Sequence, residues 1–342
     1  MKEYFREICD DQLVHDNLSI KHKSIRIFVR YLLRICGLQT SVKVLTFVLR
    51  LIPKHNDSYW IYLIRINFFR LSYLLNLSEN SYKEAHIVKK KWAKNVIHSS
   101  LSKNQKESAE NYLETIEALN NNNLLNNTAA LSKEKFYLYG PNASIMPNEI
   151  YSDYTLVHIK PFPEELKSFK KEILFLNSYY FNNSVKDNYN YINKLKKRYH
   201  KIYVTCMTSI LPDGFHRVVL NKPGYIASEM ALQRILGFLL QKHQSFECVI
   251  DGFDFYLNND AYSNPNYHKL TRLKNSLIQE KEMCLSLADH DFLFNFILTK
   301  KLLCKLKLND SVDFKKIITL TSDEYQKRLF TSRKFSTLKR IN

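Results

Sequence analysis

Asp251, Gly252, Asp254 and Tyr256 stand in Val249-Ile250-Asp251-Gly252-Phe253-Asp254-Phe255-Tyr256, where an apolar run gives way to acids, a glycine and a phenol. Tyr262 follows six residues later, and His290 lies in Ala288-Asp289-His290-Asp291-Phe292. Tyrosine hydroxyls are neutral donors that can stabilise charge developing on a departing phosphate. Carboxylates flanking a histidine can orient its ring and raise its basicity, as a base for an incoming hydroxyl requires. The set has the parts for displacing a phosphate leaving group without a metal. Asp251 and Asp254 are also candidate metal ligands, but two residues separate them, unlike a short Asp-x-Asp pair. Capping a turn, or hydrogen-bonding a ribose or backbone group, suits them better.

Residue by residue these signals are weak. The chain holds 22 tyrosines and 11 histidines, so each reads equally as a packing residue, and His216 and His268 are rival bases. Their value lies in where they fall, after a buried strand. A second candidate turn, Gly140-Pro141-Asn142-Ala143-Ser144, follows another apolar run. Glycine there lets a backbone approach a ligand closely, and Asn142 and Ser144 add donors near a helix start. A tight strand-to-helix turn with no ligand has the same composition. Neither GxGxxG nor GxxxxGK[ST] occurs, and the signatures of serine hydrolases, zinc peptidases and kinases are missing.

The elements that must position these residues divide the chain. Residues 1–119 read as a basic helical region, with Arg26, Arg30 and Arg34 at helical spacing and Gly37 as a stop. Further helices are expected over Val42–Ile52, Tyr59–Leu77 and Lys83–Leu119. The asparagine-rich stretch 120–130 is a linker candidate. Residues 131–309 alternate short buried strands (Phe136–Tyr139, Tyr154–Ile159, Ile173–Leu176, Lys201–Thr205, Cys248–Ile250) with helices such as Ser228–Lys242. That alternation predicts an α/β fold, a mostly parallel Rossmann-like sheet covered on both faces. Ligands on such sheets sit outside the carboxyl ends of the strands. Residues 310–342 read as a polar, basic tail.

With 342 residues and 45% hydrophobic content, a sizeable core is expected and global disorder is not. A net charge of +18 implies an anionic partner: nucleic acid, an acidic membrane surface or a phosphorylated substrate. The basic helices read either as a membrane-docking surface or as an ordinary solvated face. Six scattered cysteines suggest neither a zinc site nor disulfides. Met1–Asp16 is charged throughout, without the apolar core of a secretory signal, and no stretch approaches the ~20 apolar residues of a membrane span.

Together, the two turns, the tyrosine pair and the histidine resemble the bacterial sialyltransferases of glycosyltransferase family 42. The resemblance runs over about residues 135–305 and rests on Gly140-Pro141-Asn142-Ala143-Ser144, Gly252-Phe253-Asp254-Phe255-Tyr256, Tyr262, and His290 ahead of Phe294–Leu303. It implies one nucleotide-binding domain with a lid, and a CMP-activated nonulosonic acid as donor. It makes His290 the base and Tyr256 and Tyr262 the leaving-group donors. Gly140, Pro141, Asn142, Ser144, Asn177, Ser228, Gly252 and Asp254 become the substrate- and nucleotide-binding residues, with no metal and no cofactor. Tyr139 stands where the family has an asparagine before Gly-Pro, and Lys222-Pro223-Gly224 replaces its Thr-Ser-Gly. The sugar is therefore sialic acid or a relative, Kdo included. The expected acceptor is a bacterial surface glycan or glycolipid. The expected setting is cytoplasmic, peripheral to an anionic inner membrane, without nucleic acid and with room for a homo-oligomer. The reading from another class is a non-enzymatic basic protein that binds membrane or nucleic acid.

Overall fold

The computed structural model describes residues 20–51, 64, 68, 79–98, 103–117, 134–141, 143, 151–162, 169, 171–177, 180–205, 211–218, 230–255, 257, 291–309 and 312–331. Seven strands form one sheet: β1 (Lys135–Tyr139), β2 (Thr155–His158), β3 (Lys171–Leu176), β4 (Lys201–Val204), β5 (Phe215–Arg217), β6 (Glu247–Asp251) and β7 (Lys307–Leu308). Their order is β5-β4-β3-β2-β1-β6-β7, and every pairing is parallel. The apolar runs lack polar alternation because parallel strands are buried on both faces. This is the expected α/β Rossmann-like fold.

Register sorts the side chains onto two faces. Phe136, Leu138, Val157, Phe175, Cys248 and Ile250 turn toward the larger core, built with α5 (Ala231–His243) and α6 (Phe292–Leu303). Leu174, Leu176, Ile202 and Val204 turn the other way, against α4 (Tyr189–Arg198) and a π-helical turn at Phe181–Val185. α6 is buried on all sides from Phe292 to Thr299. Its two buried polar side chains are satisfied internally: Gln233 Nε2 donates to Thr299 Oγ1 at 2.6 Å, and Asn295 Nδ2 donates to Asp291 O at 2.8 Å.

Two boundaries differ from the sequence reading. The helix expected over Lys83–Leu119 is two, α2 (Glu79–Ile97) and α3 (Lys103–Glu117), packed together. Ser99, Ser100 and Ser102 lie between them, residues that favour caps over helix interiors. α1 (Ile20–Leu51) follows the reading: two helical runs meet at a kink at non-helical Gly37 (φ 77°), the anticipated stop. The polar tail from 310 in fact supplies α7 (Val312–Ile318) and α8 (Ser322–Thr331), and their Phe314, Ile318, Tyr325 and Leu329 are buried in the main core. Trp92, Ala93, Val96, Ala109 and Tyr112 join the same core, so α2 and α3 share it with the sheet. The expected linker at 120–130 and most of the expected helix Tyr59–Leu77 lie outside the described residues.

Candidate functional site

Strands β1 to β5 step outward in one direction, and β6 returns to the far side of β1. The order therefore reverses between β1 and β6, and it is outside the carboxyl ends at such a reversal that open parallel sheets bind ligands. Both candidate turns leave the sheet at this point. The Gly140 amide donates to the Asp251 carbonyl at 2.8 Å. A Cβ on Gly140 would lie 2.7 Å from Asp251 O, Gly252 O and a ring carbon of Phe253. Two of those atoms are backbone, so the close approach is the reason for glycine. Gly140→Ala is expected to cost about 1–3 kcal/mol in urea unfolding; a loss under about 0.5 kcal/mol would contradict this contact.

The turn after β6 is held in an uncommon backbone shape. Gly252 (φ 72°) and Phe255 (φ 48°) are both left-handed. For a bulky side chain this conformation costs on the order of 1–3 kcal/mol and persists only where its surroundings impose it. Here they do. The buried Phe255 ring meets Phe296 edge-on at 5.6 Å and Phe314 at 6.0 Å, and Tyr325 Oη donates to Phe255 O at 3.2 Å. Helices α6, α7 and α8 thereby fix the backbone immediately before Tyr256. Asp254 is buried in this turn, and its carbonyl accepts from Leu257 N at 2.9 Å. The Asp251 carboxylate accepts from Tyr137 Oη at 2.8 Å. Burial, and then the negative charge of Asp251, push the Tyr137 and Tyr139 hydroxyls well above the ordinary tyrosine range, so both stay neutral donors.

The neighbouring strand ends add groups that the sequence reading passed over. Lys160, two residues beyond β2, is 4% exposed, with Nζ 5.6 Å from the Tyr180 ring centroid. Burial lowers its pKa to about 8. His158 ends β2 fully buried, its Nε2 2.9 Å from Glu172, which also meets Arg198 at 3.3 Å. Burial pushes the Glu172 pKa up, but His158 and Arg198 outweigh it and the carboxyl titrates below its usual range. Burial also lowers the pKa of His158, so the neutral ring donates Nε2–H, and its Nδ1 has no hydrogen-bond partner among the described residues. Lysine and histidine at the end of a strand read as buried, Tyr154–Ile159, were the available signal.

Two helix starts complete the edge. Asp291 caps α6, accepting from Phe294 N at 3.0 Å. Its carboxylate is fully buried and pairs with Lys89 and, at 3.3 Å, with His86 Nε2, both from α2. Burial raises its pKa, but the His86 and Lys89 charges and hydrogen bonds outweigh that and hold it well below the usual carboxylate value. Asn295 Oδ1 accepts from Met230 N at 2.8 Å while its Nδ2 donates to Asp291 O. One side chain thus ties the start of α5 to the start of α6.

Of the residues singled out from sequence, Gly140, Pro141, Gly252 and Asp254 come together at the reversal point. Asn177 directly follows β3 and caps the next turn, its Oδ1 accepting from Tyr180 N at 2.7 Å. Asn142, Ser144, Ser228, Tyr256, Tyr262 and His290 lie outside the described residues, as does His268. Chain continuity puts Tyr256 directly after Phe255, Ser228 two residues before Met230, and His290 directly before Asp291. The rival His216 is exposed on β5, at the end of the sheet away from the reversal. Among the described residues no group of three or more His, Cys, Asp or Glu side chains is gathered as a metal centre would need. A scan of protein-family models and searches of curated proteins and of solved structures return no match to the chain.

Proposed function

We propose that the protein is an inverting, metal-independent glycosyltransferase. It moves sialic acid or a related nonulosonic acid from a CMP-sugar to a hydroxyl of a bacterial surface-glycan acceptor. The supporting observation is the meeting of the Gly140 turn with the Asp251–Phe255 turn at the reversal point of a parallel sheet. The resemblance pairs these two motifs around one nucleotide, and open parallel sheets bind ligands at such a point.

On this reading the acceptor oxygen attacks the anomeric carbon as its bond to the CMP phosphate oxygen breaks. His290 takes the acceptor's proton, and Tyr256 and Tyr262 donate to the departing phosphate. Asp251, held by Tyr137 beside the Gly140 turn, suits a hydroxyl of the donor. Lys160 offers an anionic donor a positive charge in a water-poor setting, where electrostatic attraction is stronger than in water.

The test is CMP release from CMP-sialic, CMP-legionaminic, CMP-pseudaminic acid and CMP-Kdo with an oligosaccharide acceptor, with and without EDTA. Release matched by glycosylated acceptor, unchanged by EDTA, is expected for at least one donor. No turnover with any donor would overturn the transferase in favour of a non-enzymatic basic binding protein. Loss with EDTA would overturn the metal-free mechanism alone.

A further inference from the structure

The apolar side chains that the fold leaves in solvent are concentrated on one element. Among the described residues seven large hydrophobic side chains are exposed, and Phe28, Tyr31, Ile35, Phe47 and Leu51 all belong to α1. Single exposed apolar residues are ordinary on a protein surface, but such a concentration marks an interaction surface. Phe28, Tyr31 and Ile35 stand at i, i+3 and i+7, and Phe47 and Leu51 at i and i+4, so each group shares one side of the helix. No described side chain before Gly37 is buried, whereas Ser41 and Leu45 beyond it are, and Leu45 joins the core that holds Trp92. The second half of α1 is seated on the protein, whereas Phe28, Tyr31 and Ile35 of its first half are exposed.

Charge decides what would cover it. The 32 residues of α1 include seven lysines and arginines and no acidic residue. Lys43 and Arg50 are exposed on the side that carries Phe47 and Leu51. A second copy of the chain would bring α1 against an equally cationic α1, because a two-fold contact repeats the same patch. Single-stranded nucleic acid would match the charge, but Ile35 and Leu51 offer no aromatic face for a base to stack on. An anionic bilayer takes both features, apolar side chains at the boundary of headgroups and acyl chains and cations at the lipid phosphates. No described helix is long and apolar enough to cross a membrane, so the contact is with the surface.

We propose that α1 is a membrane-surface helix that binds anionic bilayers through Phe28, Tyr31, Ile35, Phe47 and Leu51, with Lys43 and Arg50 at the lipid phosphates. The proposal stands on this surface alone and does not depend on the transferase reading. It is tested by flotation of the full chain with phosphatidylcholine vesicles, with and without phosphatidylglycerol, and by light scattering. Wild type is expected to float with anionic vesicles and not with neutral ones. A Phe28→Ser, Tyr31→Ser, Ile35→Ser, Phe47→Ser, Leu51→Ser variant should partition at least about tenfold more weakly. Lys43→Glu with Arg50→Glu should cost about 25-fold or more, from roughly fivefold per basic residue. Circular dichroism melts of both variants verify that they fold. Wild type that ignores anionic vesicles, whether or not it binds a single-stranded oligonucleotide, would overturn the proposal. So would a folded serine variant that floats like wild type, including one that has changed from oligomer to monomer.

Discussion

Lys89→Met is expected to lower the free energy of unfolding by about 3–5 kcal/mol, the largest stability loss from any single change in the polar network. The Asp291 side chain is fully buried, and Lys89 is 4% exposed. Removing the ammonium leaves a buried carboxylate without its closest positive charge, with His86 at 3.3 Å and the Phe294 amide still beside it. The pair joins α2 to the start of α6, so the loss should appear as one cooperative transition and not as separate melting of the N-terminal helices. Acid sensitivity follows from the same carboxyl. Its folded pKa lies well below the unfolded value of about 3.9. Its contribution is therefore complete above that value and is lost as pH falls through the folded pKa. In Lys89→Met burial acts on Asp291 with less opposition, so acid destabilisation should begin at a higher pH than in wild type. Urea unfolding at neutral pH and along a descending pH series measures both effects; a neutral-pH loss within about 0.5 kcal/mol would sink the account.

Much of the fold was legible because parallel strands announce themselves as short apolar runs, and five of the seven did so. The two that did not are short. β7 has two residues, and β5 places His216 and Arg217 in solvent on an edge. Their pairing is set by neighbouring strands, which leave no local trace. The Gly-Pro and Asp-Gly turns were legible as candidates, but their mutual contact was not, since Gly140 and Asp251 meet only through strand order. Phe255 is a sharper case: nothing in Asp-Phe-Tyr calls for a left-handed phenylalanine, and rings from α6, α7 and α8 impose it. Two of those helices lie in the stretch read as a polar tail, where abundant lysines and arginines masked Phe314, Ile318, Tyr325 and Leu329. In the sequence Asp291 reads as a flank that orients His290 and raises its basicity. In the fold its carboxylate is committed to Lys89, a partner 202 positions away in sequence.

That commitment gives His290 a distinct fingerprint. On the proposed reading, His290→Ala is expected to reduce CMP-sugar turnover by about 10²–10⁴-fold, the usual contribution of a positioned general base. The next residue is anchored by its own bonds, Asp291 to Lys89, His86 and Phe294 N, and Asn295 to Asp291 O and Met230 N. None of these involves the His290 side chain, so the unfolding free energy should stay close to wild type. Asp291→Asn should do the reverse in order of cause: it leaves a buried ammonium poorly compensated, destabilises the fold, and lowers turnover only through that loss. Two adjacent residues thus separate chemistry from architecture. A base must also be unprotonated to act, so wild-type kcat/KM should fall as pH drops through the histidine's pKa, ordinarily about 6.5. The residual activity of His290→Ala should lack that limb. Full turnover in His290→Ala would remove the base assignment while leaving the fold and the vesicle contact untouched. A melt as damaged as that of Asp291→Asn would make the histidine a structural residue.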